Sequence, residues 1–199
     1  MKNKILIAAL VAASLLSVTA AQAEGEFMVR ARAVNIDFGN AQNNLAARVE
    51  AENRWIPEVD LSYFFTKNIA VELVLTWPQN VDIKVGGAKA GTVKALPPSL
   101  LVQYHFTELG AFKPYLGAGV NYTLFSKRNN ILAGAAEIDR SSVGLALQAG
   151  FDYSLSKNWS LNVDIKSIKM ETDVRVAGAK IGTLGLNPIT AGVGVGYRF

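Results

Sequence analysis

The sequence predicts an all-β fold, an eight-stranded antiparallel transmembrane β-barrel with both termini periplasmic, and three observations carry that prediction. The first is Gly185 to Phe199, G-L-N-P-I-T-A-G-V-G-V-G-Y-R-F. Ile189, Ala191, Val193, Val195, Tyr197 and Phe199 fall on one face of a strand, and Thr190, Gly192, Gly194, Gly196 and Arg198 on the other. One apolar face needs an apolar medium beside it, whereas a glycine and arginine face does not suit a second core, so this reads as the closing strand of a barrel in lipid. The alternative is an edge strand of a soluble β-protein. The second observation is that seven further stretches alternate in the same way, with short and long connections in turn. The third is that no apolar run after the first twenty residues is long enough for a membrane-spanning helix.

The amino-terminal stretch has its own reading. M-K-N-K, an apolar run from Ile5 to Val18 and Ala21-Gln22-Ala23 have the layout of a secretory signal peptide, with cleavage expected after Ala23. Residues 1–23 are then leader and residues 24–199 one exported domain. Loss of Lys2 and Lys4 lowers the net charge from +4 to +2, and no basic run remains to suggest nucleic acid. Without cysteine there is neither a disulfide framework nor thiolate chemistry.

In chain order, Phe27, Val29, Ala31 and Ala33 oppose Met28, Arg30 and Arg32, and two arginines on one strand face suit a polar lumen. Residues 39–53 read as a polar loop. Trp55, Val59, Leu61, Tyr63 and Phe65 then oppose Glu58, Asp60, Ser62 and Phe64, and Thr66-Lys67-Asn68 makes a tight turn. Ile69 to Trp77 rises, and Pro78 to Ala95 projects as a hairpin with its tip at Gly86-Gly87. Leu96 to Phe106 returns with Leu101, Gln103 and His105 inward. Phe112 to Phe125 is the fifth strand. Ser126 to Ile138 reads as a loop, with one helical turn expected within Ile131 to Glu137. Asp139 to Leu155 is the sixth strand, and the seventh sends Asn162, Asp164 and Lys166 inward. Each apolar face runs about ten residues, which is what a tilted strand needs to cross a bilayer. Trp55, Tyr63, Phe65, Trp77, Tyr104, Phe106, Trp159, Tyr197 and Phe199 cluster near strand ends, as interfacial aromatics do.

Two stretches repeat. Asp82 to Val93 (D-I-K-V-G-G-A-K-A-G-T-V) echoes Asp173 to Leu184 (D-V-R-V-A-G-A-K-I-G-T-L), and Y-F-F-T-K-N at Tyr63 echoes Y-S-L-S-K-N at Tyr153. Strands two to four therefore look like a duplicate of strands six to eight. Hairpins four strands apart face each other across a barrel mouth, so tips at Gly86, Gly87 and Gly178 are candidates for a partial lid. Inherited turn chemistry alone explains the repeat equally well.

The inward residues are mixed. Arg30, Arg32, Glu58, Asp60, Glu72, Asp152, Asp164, Lys166 and Arg198 are charged, and Met28, Phe64, Val74, Leu101 and Tyr115 are not. An eight-stranded barrel has room inside for side chains or one small ligand, so a wide pore is excluded. Buried charges of both signs must pair, which gives either a plugged barrel or an apolar pocket above a polar plug. The inward glycines Gly117, Gly119, Gly144, Gly192, Gly194 and Gly196 either leave lumen space or mark strand curvature. Catalysis finds little support: His105 is the only histidine, and Ser99, the nearest inward serine on its strand, lies about 20 Å away at strand rise. His105 is expected to bond a lumen carboxylate. No acidic loop has calcium-site spacing, and Gly192-x-Gly194-x-Gly196 precedes no helix, so neither a metal nor a phosphate-bearing cofactor is expected.

N-I-A-V-E-L at Asn68, L-P-P-S-L at Leu96, K-P-Y-L-G-A-G-V-N-Y-T at Lys113, Q-A-G-F-D-Y at Gln148 and the final G-Y-R-F resemble the outer membrane protein W family over essentially the whole mature chain. The resemblance implies an eight-stranded barrel in the outer membrane of a Gram-negative bacterium and passage of small hydrophobic molecules. It also implies that Tyr197 and Phe199 belong to the signal read by the barrel-assembly machinery. The chain departs from the family pattern near Val81, where a histidine is usual, and at Lys166, where an apolar residue would better suit a hydrophobic lumen. The candidate ligand path is Phe64, Val74, Leu101, Tyr115 and Lys166. The alternative function is a structural or interaction barrel with a plugged lumen whose extracellular loops meet phage, bacteriocin or host. Outer-membrane lipid is a partner on either reading, and the sequence fixes no oligomeric state.

Overall fold

The structure is a computed structural model that describes residues 26–38, 42–43, 49–51, 53–85, 88–126, 131 and 134–199. Its strands are β1 (Glu26–Asp37), β2 (Gln42–Asn43), β3 (Val49–Ala51), β4 (Arg54–Phe64), β5 (Ile69–Thr76), β6 (Gln79–Val85), β7 (Ala88–Leu96) and β8 (Ser99–His105). They continue as β9 (Phe112–Ser126), β10 (Ala136–Ile138), β11 (Ser141–Ser154), β12 (Trp159–Ile168), β13 (Glu171–Val176), β14 (Ala179–Gly185) and β15 (Ile189–Arg198). Strands β1, β4, β5, β8, β9, β11, β12 and β15 pair antiparallel in that order, and β15 returns to β1 to close the barrel. The wall is the eight-stranded antiparallel barrel expected from the alternation.

Alternation places the side chains. Along β12 every second residue is buried, with Asn162, Asp164 and Lys166 inside and Leu161, Val163 and Ile165 outside. The outer band carries exposed Leu, Val and Ile on all eight wall strands except β1, where the outward residues are Phe27, Val29, Ala31 and Ala33. Such a surface is stable only against lipid. At the end that carries the short turns, aromatic rings touch around the rim. Tyr63 lies 4.9 Å from Phe27 and 4.8 Å from Phe65, Tyr104 is 5.0 Å from Phe106, Phe112 is 5.0 Å from Phe151, and Tyr197 is 5.0 Å from both Trp159 and Phe199. Trp55 and Trp77 are exposed at the opposite, hairpin end.

Beyond the lipid band the wall continues in two pieces. One runs β9-β7-β6-β3 and the other β10-β13-β14-β2. This corrects two expectations. The segment 39–53, read as a loop, contributes β2 to β14 and β3 to β6. Residues 136–138, at the end of a segment read as a loop with a helical turn within Ile131 to Glu137, form β10 against β13. All three are short edge strands whose composition is polar or alanine-rich, so local periodicity was too brief to reveal them.

The internal repeat is a structural one. The Thr66 hydroxyl accepts from the Ile69 amide at 2.9 Å and the Ser156 hydroxyl from the Trp159 amide at 3.1 Å. Asn68 Nδ2 donates to the His105 carbonyl at 2.7 Å and Asn158 Nδ2 to the Arg198 carbonyl at 2.6 Å. The two projecting hairpins each carry a register shift, at Ile83/Lys84 and at Val174/Arg175. Ala177 (φ 50°) and Gly178 (φ 80°) turn the second hairpin in the left-handed pair of conformations that a two-residue type I′ turn requires. Gly86 and Gly87, the other proposed lid tip, lie outside the described residues.

The repeats differ where the hairpins meet the barrel. In the second, β12–β15 pairing ends at Ser167↔Ile189 and β13–β14 pairing begins at Glu171↔Gly185. The gap is bridged: the Ile168 amide donates to Pro188 O at 3.0 Å, the Leu186 amide to Met170 O at 2.8 Å, and the Met170 amide to Asn187 Oδ1 at 3.0 Å. In the first, β5–β8 pairing ends at Val74↔Ser99 and β6–β7 resumes at Gln79↔Ala95. Across this gap residues 75–78 stand opposite residues 96–98, while Leu75 and Thr76 stay paired with β4 and Leu96 with β9; Pro78, Pro97 and Pro98 have no amide to give. Among the described residues no ladder pair crosses this seam.

Candidate functional site

The inward rows change character at one height. On β1 the row reads Arg30, Arg32, then Val34 and Ile36. On β4, read toward the hairpin end, it reads Asp60, Glu58, then Ile56. On β12 it reads Asp164, Lys166, Ile168, followed by Met170, and on β5 Glu72, Val74, Thr76. The lumen is therefore charged in the half near the short turns and apolar in the half near the hairpins.

The charged half is a closed network. Arg30 reaches Asp152 at 2.7 Å, Asp60 at 3.2 Å and Glu72 at 3.3 Å. Arg32 reaches Glu58 at 3.0 Å, Asp60 at 2.5 Å and Asp164 at 3.3 Å. Lys166 Nζ donates to Asp164 at 2.6 Å and, across the lumen, to Glu58 at 2.9 Å. Neutral groups fill the rest. Tyr115 OH donates to Asp164 Oδ2 at 2.8 Å, Gln148 Nε2 to Glu72 at 2.9 Å, and Asn162 Nδ2 to Asp152 at 2.9 Å. All these side chains are buried. Charges so buried persist because each has several partners.

One expectation about this half is corrected, and one alternative is decided. His105 does not bond a carboxylate; its Nε2 lies 3.0 Å from Gln103 Oε1, and its ring sits 4.9 Å from both Phe64 and Tyr115. The inward glycines leave no lumen space. A Cβ on Gly194 would stand 2.1 Å from Ala31 O and 2.7 Å from Arg32 Cγ, and one on Gly117 would meet Gln148 Oε1 at 2.7 Å. At Gly117, Gly194 and Gly196 the missing Cβ lets plug side chains lie against the wall, whereas Gly119 and Gly144 sit against the backbone oxygens of Leu100 and Lys169.

Above Lys166 lies a small apolar cavity of about 30 Å³. Val34, Ile36, Ile56, Ile168, Met170 and Leu186 contribute to its wall, with Glu58 and Lys166 at the floor. Thr76, Gln79 and Pro97 also line it, so it borders the unpaired seam. Such a concave apolar space with a few polar groups is what a small-molecule site needs. Of the residues proposed from sequence, Val74 and Lys166 line this cavity and Leu101 is buried in the apolar cluster beside it. Tyr115 belongs to the plug. Phe64 sits at the far end, where its ring lies 4.0 Å under Arg198 and borders a separate, more polar pocket with His105. Val34, Ile36, Ile56 and Met170 were not picked out from sequence, although the switch from charged to apolar along each inward row was visible there. Tyr197 and Phe199 lie on the outer rim, away from the lumen.

Comparison with known proteins agrees with this architecture. A model of the OmpW family matches residues 23–199. An uncharacterized outer-membrane protein, y4mB, of Sinorhizobium fredii is 40% identical over 87% of this chain and 80% of its own length. Outer membrane protein W of Vibrio cholerae is 32% identical over the full length of both chains. The crystal structure of the outer membrane protein OprG from Pseudomonas aeruginosa superposes with a TM-score of 0.76 at 26% identity, covering 88% of this chain and 96% of that one. The apolar belt thus faces the outer membrane of a Gram-negative bacterium, and the chain belongs to the OmpW family.

Proposed function

We propose that the barrel passes small hydrophobic molecules into the outer membrane through the apolar cavity, by a path that bends. The observation that carries this reading is the cavity seated on a closed ionic floor. A molecule entering from the hairpin end, which we place outside the cell, meets Ile36, Ile56 and Met170 and is stopped by Lys166–Glu58. Straight passage would require dismantling a buried network, whereas the seam at residues 75–78 and 96–98 opens on the same cavity and on lipid. The path therefore leaves sideways between β5 and β8. Termini and short turns then lie in the periplasm, and Tyr197 and Phe199 are at hand there for the assembly machinery. The Pseudomonas aeruginosa protein named for a dibenzothiophene metabolism operon, 29% identical over 57% of this chain, supports a hydrophobic aromatic cargo.

The same floor supports a second reading. A plugged barrel with two rigid projecting hairpins also suits a surface protein that meets partners. Naphthalene influx into proteoliposomes separates the two. Influx faster than in protein-free liposomes, abolished by Val74→Arg, supports passage. Influx at the protein-free rate removes passage and leaves the hairpins as the site of function.

A further inference from the structure

The cavity is apolar but not featureless. Among the described residues, Thr76 Oγ1 and Thr190 Oγ1 are buried without a hydrogen-bond partner, and both side chains line it. Thr190 is 5% exposed. The ladder sets each beside a floor residue: Thr190 on β15 is paired with Lys166 on β12, and Thr76 on β5 with Glu58 on β4. In the wall order β12-β15-β1-β4-β5, Thr190 stands between Lys166 and Glu58 and Thr76 lies beyond Glu58; the two charged groups are joined at 2.9 Å and the two hydroxyls are unsatisfied. An unsatisfied buried hydroxyl is costly, and these two face the same cavity.

Charge decides what kind of polar group would suit them. The plug beneath holds the cations Arg30, Arg32 and Lys166 against the carboxylates Glu58, Asp60, Glu72, Asp152 and Asp164, all at most 4% exposed. Acidic groups outnumber basic ones at the floor, so an anionic headgroup gains nothing by descending to it. Resting on the hydrophobic-cargo reading above, we propose that the cavity selects uncharged amphiphiles: hydrophobic molecules with a single hydrogen-bonding oxygen, such as an alcohol or ketone. The oxygen pairs with either the Thr76 or the Thr190 hydroxyl, which stand on strands three positions apart, and the apolar body packs against Ile36, Ile56 and Met170. Oxygenated hydrocarbons are then preferred over the parent hydrocarbons of equal length.

The test uses the full mature chain in lipid nanodiscs and three radiolabelled probes: octane, 1-octanol and octanoate. Saturable binding is read after subtraction of protein-free nanodiscs. The native barrel should bind octanol about tenfold more tightly than octane, the worth of one hydrogen bond. Octanoate should bind more weakly than octanol at neutral pH. Thr76→Val with Thr190→Val, which keeps side-chain shape, should bring octanol and octane to nearly equal affinity, while the Thr76→Ser, Thr190→Ser pair should keep the preference. Saturable octane binding with no octanol preference, a preference that survives in the valine pair, or octanoate binding more tightly than octanol would overturn this inference alone. Absence of saturable binding for all three probes would overturn the hydrophobic-cargo reading together with it.

Discussion

Lys166 on β12 donates to Glu58 on β4 at 2.9 Å, and these two strands are not neighbours in the barrel wall. The bond spans the lumen and marks the plane where a charged interior becomes an apolar one. It also explains why a lysine occupies a position better suited to an apolar side chain in a hydrophobic lumen. The lysine belongs to the floor, and Ile168 and Met170 begin the wall above it.

Lys166→Met should therefore destabilise the barrel by about 3 kcal/mol, the low end for removing one partner of a buried pair, because Arg32 still holds Glu58 at 3.0 Å. Glu58→Gln added to Lys166→Met should recover part of that loss. Urea unfolding in lipid vesicles measures both variants, and equal stability of Lys166→Met and native protein would show that the cross-lumen bond is not made.

Gly194→Ala tests the reason for the glycine face of β15. The added methyl would stand 2.1 Å from Ala31 O and 2.7 Å from Arg32 Cγ, so the strands must part or Arg32 must leave its carboxylates. A loss of about 3 kcal/mol or more is expected, far beyond what a surface strand glycine costs. A neutral outcome in the same unfolding assay would mean that the glycines do leave free lumen space.

The two hairpins should titrate alike. The Lys89 amine, with help from the Thr92 hydroxyl, holds the Asp82 carboxyl below its ordinary range, and Lys180 with Thr183 does the same for Asp173. A carboxyl lowered on folding adds stability above its unfolded value and loses it as pH falls through the folded value. Both hairpins should keep their pairing in mild acid and loosen only below pH about 4. Carboxyl chemical shifts of Asp82 and Asp173 followed by NMR give the midpoints. Midpoints at or above the ordinary aspartate value would contradict the shared Asp–Lys–Thr arrangement.

Much of this was legible in the sequence because alternation with period two is a strong signal once it recurs on eight strands. It placed Met28, Arg30 and Arg32 inside and Trp159, Leu161 and Val163 outside, as found. The repeat was equally legible: Asp82 and Asp173, Asn68 and Asn158, make the same bonds in both copies. The structure diverged from the reading where pairing depends on distant partners. Nothing local in Gln42–Asn43 or Ala136–Ile138 announces an edge strand; each is ordered by the hairpin beside it. The bridging of one seam and not the other also escaped, because it turns on Asn187 Oδ1 meeting the Met170 amide. His105 was expected on a carboxylate since charge dominates the lumen composition, yet Gln103, two residues away on the same inward face, lies nearer.

The carboxy-terminal aromatics carry a separate expectation. Tyr197 packs 5.0 Å from Trp159 and from Phe199 on the outer rim, where neither ring contributes to the cavity. As proposed parts of the assembly signal they should govern how much barrel reaches the outer membrane. Phe199→Ala should lower that amount several-fold in membrane fractions while leaving naphthalene influx per inserted barrel unchanged. Native abundance of Phe199→Ala would remove its role in assembly.

The most direct test of the central claim is where a hydrophobic ligand sits. Crystals of the mature chain soaked with a bromonaphthalene would locate the bromine by its anomalous scattering. We expect a peak inside the barrel on the hairpin side of Lys166, among Ile36, Ile56 and Met170. A peak below the ionic floor beside Phe64 and His105, or no peak within the lumen, would contradict an apolar cavity that receives its cargo above the Lys166–Glu58 bond.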